Sequence, residues 1–211
     1  LNGSGSVIGA YGTLQEAITA AASGAEVKLL TDTTEDITVT GKKITLNLNG
    51  QKLTNVSSDT ITVALGAELT VKGEGTVDNV TDGKGALFNN GTVTLDGGTF
   101  DRSKEAGSAK DNPGSNSWYT ICNHGAMTIN EGVTVTTGSD NVTAVGKFSS
   151  LIENGYYNYS SNNPRTGYKA DTNQKNPSLT INGGVFNGGI NTVKNDDGGK
   201  IKITGGEFKN T

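Results

Sequence analysis

One cysteine, one tryptophan, one histidine and three prolines are spread over 211 residues, and aromatic side chains make up 6% of the chain. With Cys122 alone no intrachain disulfide is possible, and its neighbourhood, Cys122-Asn123-His124, lacks the further ligands of a zinc site. Arg102 and Arg165 are the only arginines, there is no basic run, and the formal net charge is -4. These features argue against nucleic acid or an anionic membrane surface as partner. No apolar stretch is long enough to cross a bilayer, so membrane insertion is not expected, and no motif calls for a cofactor or a metal. What remains is a chain rich in glycine, threonine and asparagine, the composition of a tightly turned β-coil, in which glycine supplies positive φ angles at corners.

The same short phrase recurs along the chain: Ile44-Thr45-Leu46, Leu69-Thr70-Val71, Val93-Thr94-Leu95, Met127-Thr128-Ile129, Leu179-Thr180-Ile181 and Ile201-Lys202-Ile203. Its fullest form runs apolar, Thr, apolar, polar, Gly, Gly, any, aromatic, as in Val93 to Phe100, Leu179 to Phe186 and Ile201 to Phe208. Copies without an insertion follow each other at about 22 to 25 residues and alternate apolar with polar side chains, which predicts strands in a stacked repeat. Each repeat adds too few inward side chains to bury a core alone, so stacking must supply it. The outward threonines Thr45, Thr70, Thr94, Thr128 and Thr180 form a column that ordinary β-propensity explains better than a recognition face.

A second motif precedes the first: Leu87-Phe88-Asn89-Asn90-Gly91, Ile121-Cys122-Asn123-His124-Gly125, Leu151-Ile152-Glu153-Asn154-Gly155 and Val193-Lys194-Asn195 before Gly198. With Leu87, Ile121, Leu151 and Val193 facing inward, Asn89, Asn123 and Asn195 stack into an amide ladder that Glu153 interrupts. The same register turns Phe88, Cys122 and Ile152 outward, where a loop would have to cover them.

The beginning differs in kind. Thr13-Leu14-Gln15-Glu16 is a capping box opening an Ala-rich amphipathic segment, Leu14 to Ala22, that stops near Gly24. Leu14, Ala17, Ile18 and Ala21 recur at helical spacing and suit a lid over the open end of a strand stack.

This lid of the form Thr-Leu-Gln-Glu-Ala-Ile-x-Ala-Ala, the strand Glu26-Val27-Lys28-Leu29-Leu30 and the Gly-Gly-x-Phe repeats resemble the pectate-lyase-like domains of large surface proteins from Gram-positive gut bacteria. The resemblance runs from Tyr11 to Phe208 and implies a single-stranded right-handed parallel β-helix with an N-terminal helical cap, on an extracellular, cell-surface or secreted protein. It is specific for fold and poor for activity, since the family holds adhesive modules beside polysaccharide lyases and hydrolases. The expected organisation is a linker over 1–10, a cap over 11–24 and about seven repeats over 25–211, in a fragment of a longer protein. Because the chain stops directly after a full repeat, either a monomer or an end-to-end dimer is expected.

Function, on this reading, lies in three insertions: Asp101 to Ser117, Thr136 to Ser149 and Gly155 to Pro177. The first two interrupt the same corner of successive repeats, and the third leaves from another corner of the next. They carry Trp118, Tyr119, Tyr156, Tyr157, Tyr159 and Tyr168, whose rings can stack on sugar faces while neighbouring polar groups take the hydroxyls of a glycan or host glycoprotein. The competing use of these rings is to fasten the loops to the coil. A non-enzymatic adhesive, carbohydrate-binding or spacer module is therefore expected. The alternative is a polysaccharide lyase or glycoside hydrolase, which needs paired acidic residues on one face. The outward columns beside the threonines hold one acid each, leaving His124, Glu153, Asp101 and Arg102 as the catalytic candidates. Asp32, Glu35, Asp36 and the pair Asp196-Asp197 read as solvated turns.

Overall fold

The computed structural model describes residues 6–81, 83–104, 118–138, 150–155, 177–189, 191–196 and 198–209. They form a parallel β-helix: three strands per coil, each pairing with its counterpart in the next coil, so that three parallel sheets run along the stack. The first sheet contains β1 (Ala25–Lys28), β4 (Lys43–Asn47), β7 (Glu68–Lys72), β10 (Thr92–Leu95), β13 (Ala126–Ile129), β16 (Ser178–Ile181) and β19 (Lys200–Ile203). The second contains β2 (Thr33–Thr34), β5 (Lys52–Thr54), β8 (Thr76–Asp78), β11 (Gly98–Asp101), β14 (Val133–Thr136), β17 (Val185–Asn187) and β20 (Glu207–Lys209). The third contains β3 (Ile37–Val39), β6 (Ile61–Val63), β9 (Leu87–Asn89), β12 (Ile121–Asn123), β15 (Ile152–Asn154) and β18 (Val193–Asn195). The seven expected repeats are thus seven coils among the described residues.

Register explains the repeated phrase. Ile44 pairs with Leu69, Leu69 with Val93, Val93 with Met127, Met127 with Leu179 and Leu179 with Ile201, one apolar column running the length of the first sheet. The threonines between the apolar positions pair in the same way and face outward, half-buried. Apolar columns from all three sheets meet in one continuous core, with Phe100 and Phe186 among its largest fully buried side chains. Each Gly-Gly step turns the chain from the first sheet to the second. In the last described coil, a Cβ on Gly205 would lie 2.3 Å from the Asn182 carbonyl, so only glycine lets the coils approach; Gly206 adopts φ 112.

The cap is a helix, α1 (Leu14–Ala20), two residues shorter than the sequence suggests because the chain turns extended at Ala21. Its capping box is formed: Glu16 N–H donates to Thr13 Oγ1, and Thr13 N–H donates to Glu16 Oε2. Three side chains tie it to the first coils. The Glu35 carboxylate accepts from Leu14 and Gln15 N–H at the helix start, and Lys42 Nζ donates to the Ile18, Thr19 and Ala21 carbonyls at its end. The Gln15 amide exchanges two hydrogen bonds with the Thr38 backbone, occupying the edge of β3 as a neighbouring strand would. Buried Leu14 and Ile18 face the core end.

Two expectations need correction. Asp32 and Asp36 are clasps between coils, and Glu35 a clasp to the cap, rather than solvated turns: Asp32 Oδ1 accepts from Lys52 N–H, and the Asp36 carboxylate accepts from the N–H groups of Val56, Ser57 and Ser58. Asp59 repeats the device by accepting from Gly85 N–H at 2.7 Å; burial raises its pKa although that hydrogen bond opposes the shift. The second correction concerns the ladder. In the third sheet Ile121 pairs with Ile152, Cys122 with Glu153 and Asn123 with Asn154, so the motif at Leu151 is displaced by one residue from the expected register. Ile152 faces inward, Glu153 faces outward, and Asn154 takes the ladder position. The glycine of the motif does not mark the register, because the turn after the asparagine varies in length, with Gly155 directly following Asn154 whereas Gly91 and Gly125 follow Asn89 and Asn123 by two residues.

The ladder is therefore unbroken. The Asn89 amide donates to Asn123 Oδ1, Asn123 to Asn154 Oδ1 and Asn154 to Asn195 Oδ1, each at 2.7 Å. Each of these three amides donates its other hydrogen to a backbone carbonyl at the following corner, Ala126, Ser178 or Lys200. Buried amides satisfied in this way fix register and rigidity together.

Two measurements follow. Asn123→Ala leaves the Asn89 amide and the Asn154 carbonyl without their partners and should cost about 1–3 kcal/mol in urea unfolding, whereas Asn195→Ala, at an exposed position, should cost less. Glu26 is held below the usual carboxylate value of 4.5 by its hydrogen bonds to Lys72 and Asn47. Its contribution to stability is thus present above 4.5 and lost as pH falls through the depressed value. Glu26→Gln should flatten that part of the acid limb of a stability–pH curve.

Candidate functional site

All three insertions border the third sheet. The first two connect β11 to β12 and β14 to β15 at the corner entering this sheet, and the third leaves β15 at the corner beyond it. Their described stems are built into the scaffold. Asp78, fully buried at the end of β8, accepts Ser103 N–H and Oγ–H at 2.9 and 2.6 Å and pairs with Lys52 Nζ at 2.8 Å, so it fixes the direction in which the first insertion departs. The stems of the first two insertions are joined by Gly138 N–H donating to the Arg102 carbonyl. Thr120, where the first insertion returns, donates its hydroxyl to the Thr136 carbonyl.

Between the corners lies the outer face of the third sheet. Its central column reads Phe88, Cys122, Glu153 and Lys194, one residue per coil. The next column reads Asn90, His124, Gly155 and Asp196, whose N–H groups donate in turn to Val63, Asn89, Asn123 and Asn154 carbonyls. Gly155, at φ 134, has no room for a side chain, since a Cβ there would lie 2.6 Å from the Asp196 backbone. The two columns couple diagonally through His124 Nε2, 3.5 Å from Glu153 Oε2 on the next coil, and laterally through Lys194 Nζ, 2.8 Å from Asp196 Oδ2 on its own coil. The His124 ring meets Phe88 edge-on at 5.0 Å between centroids.

Outward residues of an open sheet face water, yet Cys122 is 1% exposed and Glu153 4%. Burial pushes the Cys122 thiol up, and the Glu153 carboxylate pushes it further, so this cysteine is not a nucleophile in the described state. Tyr119 forms part of the cover: its hydroxyl accepts from Lys194 Nζ at 3.0 Å, and its own pKa is raised by burial. Burial would lower the pKa of the Lys194 amine, but the hydrogen bonds to Asp196 and Tyr119 outweigh it and hold the amine above its usual value.

The structure places the sequence candidates as follows. His124 and Glu153 come together as a pair. Asp101 and Arg102 sit in the stem of the first insertion, both buried; Asp101 pairs in register with Asp78, and the Arg102 charge acts on the Cys122 thiol against that of Glu153. Trp118 and Tyr119 are half-buried and mutually tilted, 6.0 Å apart, packed as fasteners of a loop stem. Tyr156, Tyr157, Tyr159 and Tyr168 lie outside the described residues. Sequence reasoning missed Asp59, Asp78 and Lys194, and it read Asp196 as a solvated turn, whereas the half-buried Asp196 pairs with Lys194. For Lys194 the signal was its place one coil above Glu153, hidden by the displaced register.

No protein-family model matches the chain, and no curated protein or solved structure shows a match either.

If Asp78 anchors the first insertion, Asp78→Ala should increase tryptic cleavage after Lys104 several-fold while urea unfolding of the coil shifts by about 1–3 kcal/mol. Equal cleavage in both proteins would show that the stem is held by other contacts.

Proposed function

We infer that this chain is a non-enzymatic binding module of an extracellular bacterial protein, in which a rigid coil presents loops to a glycan or glycoprotein. The observation that carries the reading is the gathering of all three insertions around one sheet, with stems fixed by Asp78 and Thr120 to coils that the amide ladder holds in register. Fixed stems lower the ordering entropy that a recognition loop loses on binding. The resemblance to pectate-lyase-like domains of Gram-positive gut-bacterial surface proteins supports a cell-surface setting, where such a rod also serves as a spacer. The stem supports the same reading: Asp78 bonds the Ser103 backbone, and the Tyr119 hydroxyl bonds Lys194 on the coil.

A second reading, a polysaccharide lyase or hydrolase, is favoured by one arrangement: Glu153 and Asp196 stand one coil apart on neighbouring columns, with His124 and Lys194 beside them. Carboxyl pairs at about 5 to 10 Å are what glycoside hydrolysis uses.

A glycan array carrying mucin glycans and plant polysaccharides separates the two. Binding without turnover, reduced at least about ten-fold by replacing residues 156–176 with a short Gly-Ser linker, is the expected result. Release of reducing ends or unsaturated products that Glu153→Gln abolishes would favour the enzyme instead.

A further inference from the structure

We draw no further inference here: the strongest candidate, the cavity of about 520 Å³ at the capped end that Val7, Ile8, Tyr11, Leu14, Val27 and Leu30 help to line, is an apolar groove beside the first strand of the first sheet, and nothing in the structure shows what covers it.

Discussion

Everything in this molecule depends on parallel pairing without offset: each strand meets its counterpart one coil later at the same phase of its alternation. A shift of one residue would turn an apolar column to water and a polar one into the core. Because the phase is kept, a side chain is defined less by its neighbours in sequence than by the column it enters, and each column has its own chemistry. Branched and aromatic residues line the centre, threonines and charged pairs such as Lys43–Glu68 the first face, and amides one corner. Strands with so strict a phase leave only corners for extra residues, which is why the insertions lie there.

The second principle is that polar side chains serve the backbone of a different coil. Asp36, Asp59 and Asp78 accept from N–H groups on the following coil or beyond, while the four ladder amides link one coil to another. Such bonds satisfy groups that would otherwise be buried without partners at the corners, where strand ladders end. They also make the corners directional. Asp78 can hold a loop stem because its other neighbours are fixed by strand pairing, and a carboxylate on a mobile turn would gain far less.

The coil architecture, the cap and the positions of the insertions were legible in the sequence because each depends on local pattern: period two, a Gly-Gly step, a capping box. Asn89, Asn123 and Asn195 were legible as one column for the same reason. Glu153 was misplaced because the turn after Asn154 lacks the one residue that separates asparagine from glycine elsewhere, and a glycine-anchored alignment slid the strand by one. Strand pairing, not the turn, sets the phase. Lys194 escaped notice because two of its neighbours come from other coils, Glu153 one coil below and Tyr119 75 positions back in the chain, although its ion-pair partner Asp196 is only two residues away. For Trp118 and Tyr119 the sequence left open whether the rings bind or fasten, since exposure is a property of what folds over a stem; both are half-buried.

The amide column has both a beginning and a sense. In the first two coils its position is held by Val39 and Val63, and asparagine takes over at Asn89, one coil before the first long insertion; from there each amide donates towards later coils until Asn195 donates to the Gly199 carbonyl. At this position the plain coils are thus joined by an apolar contact, while those that bear the outgrowths have a hydrogen-bonded spine along their inner edge. That division acts as a splint. A pull on any outgrowth is passed at its root into a row of short, aligned dipoles rather than into a slippery apolar contact, so the load is shared among four coils instead of prising one of them open.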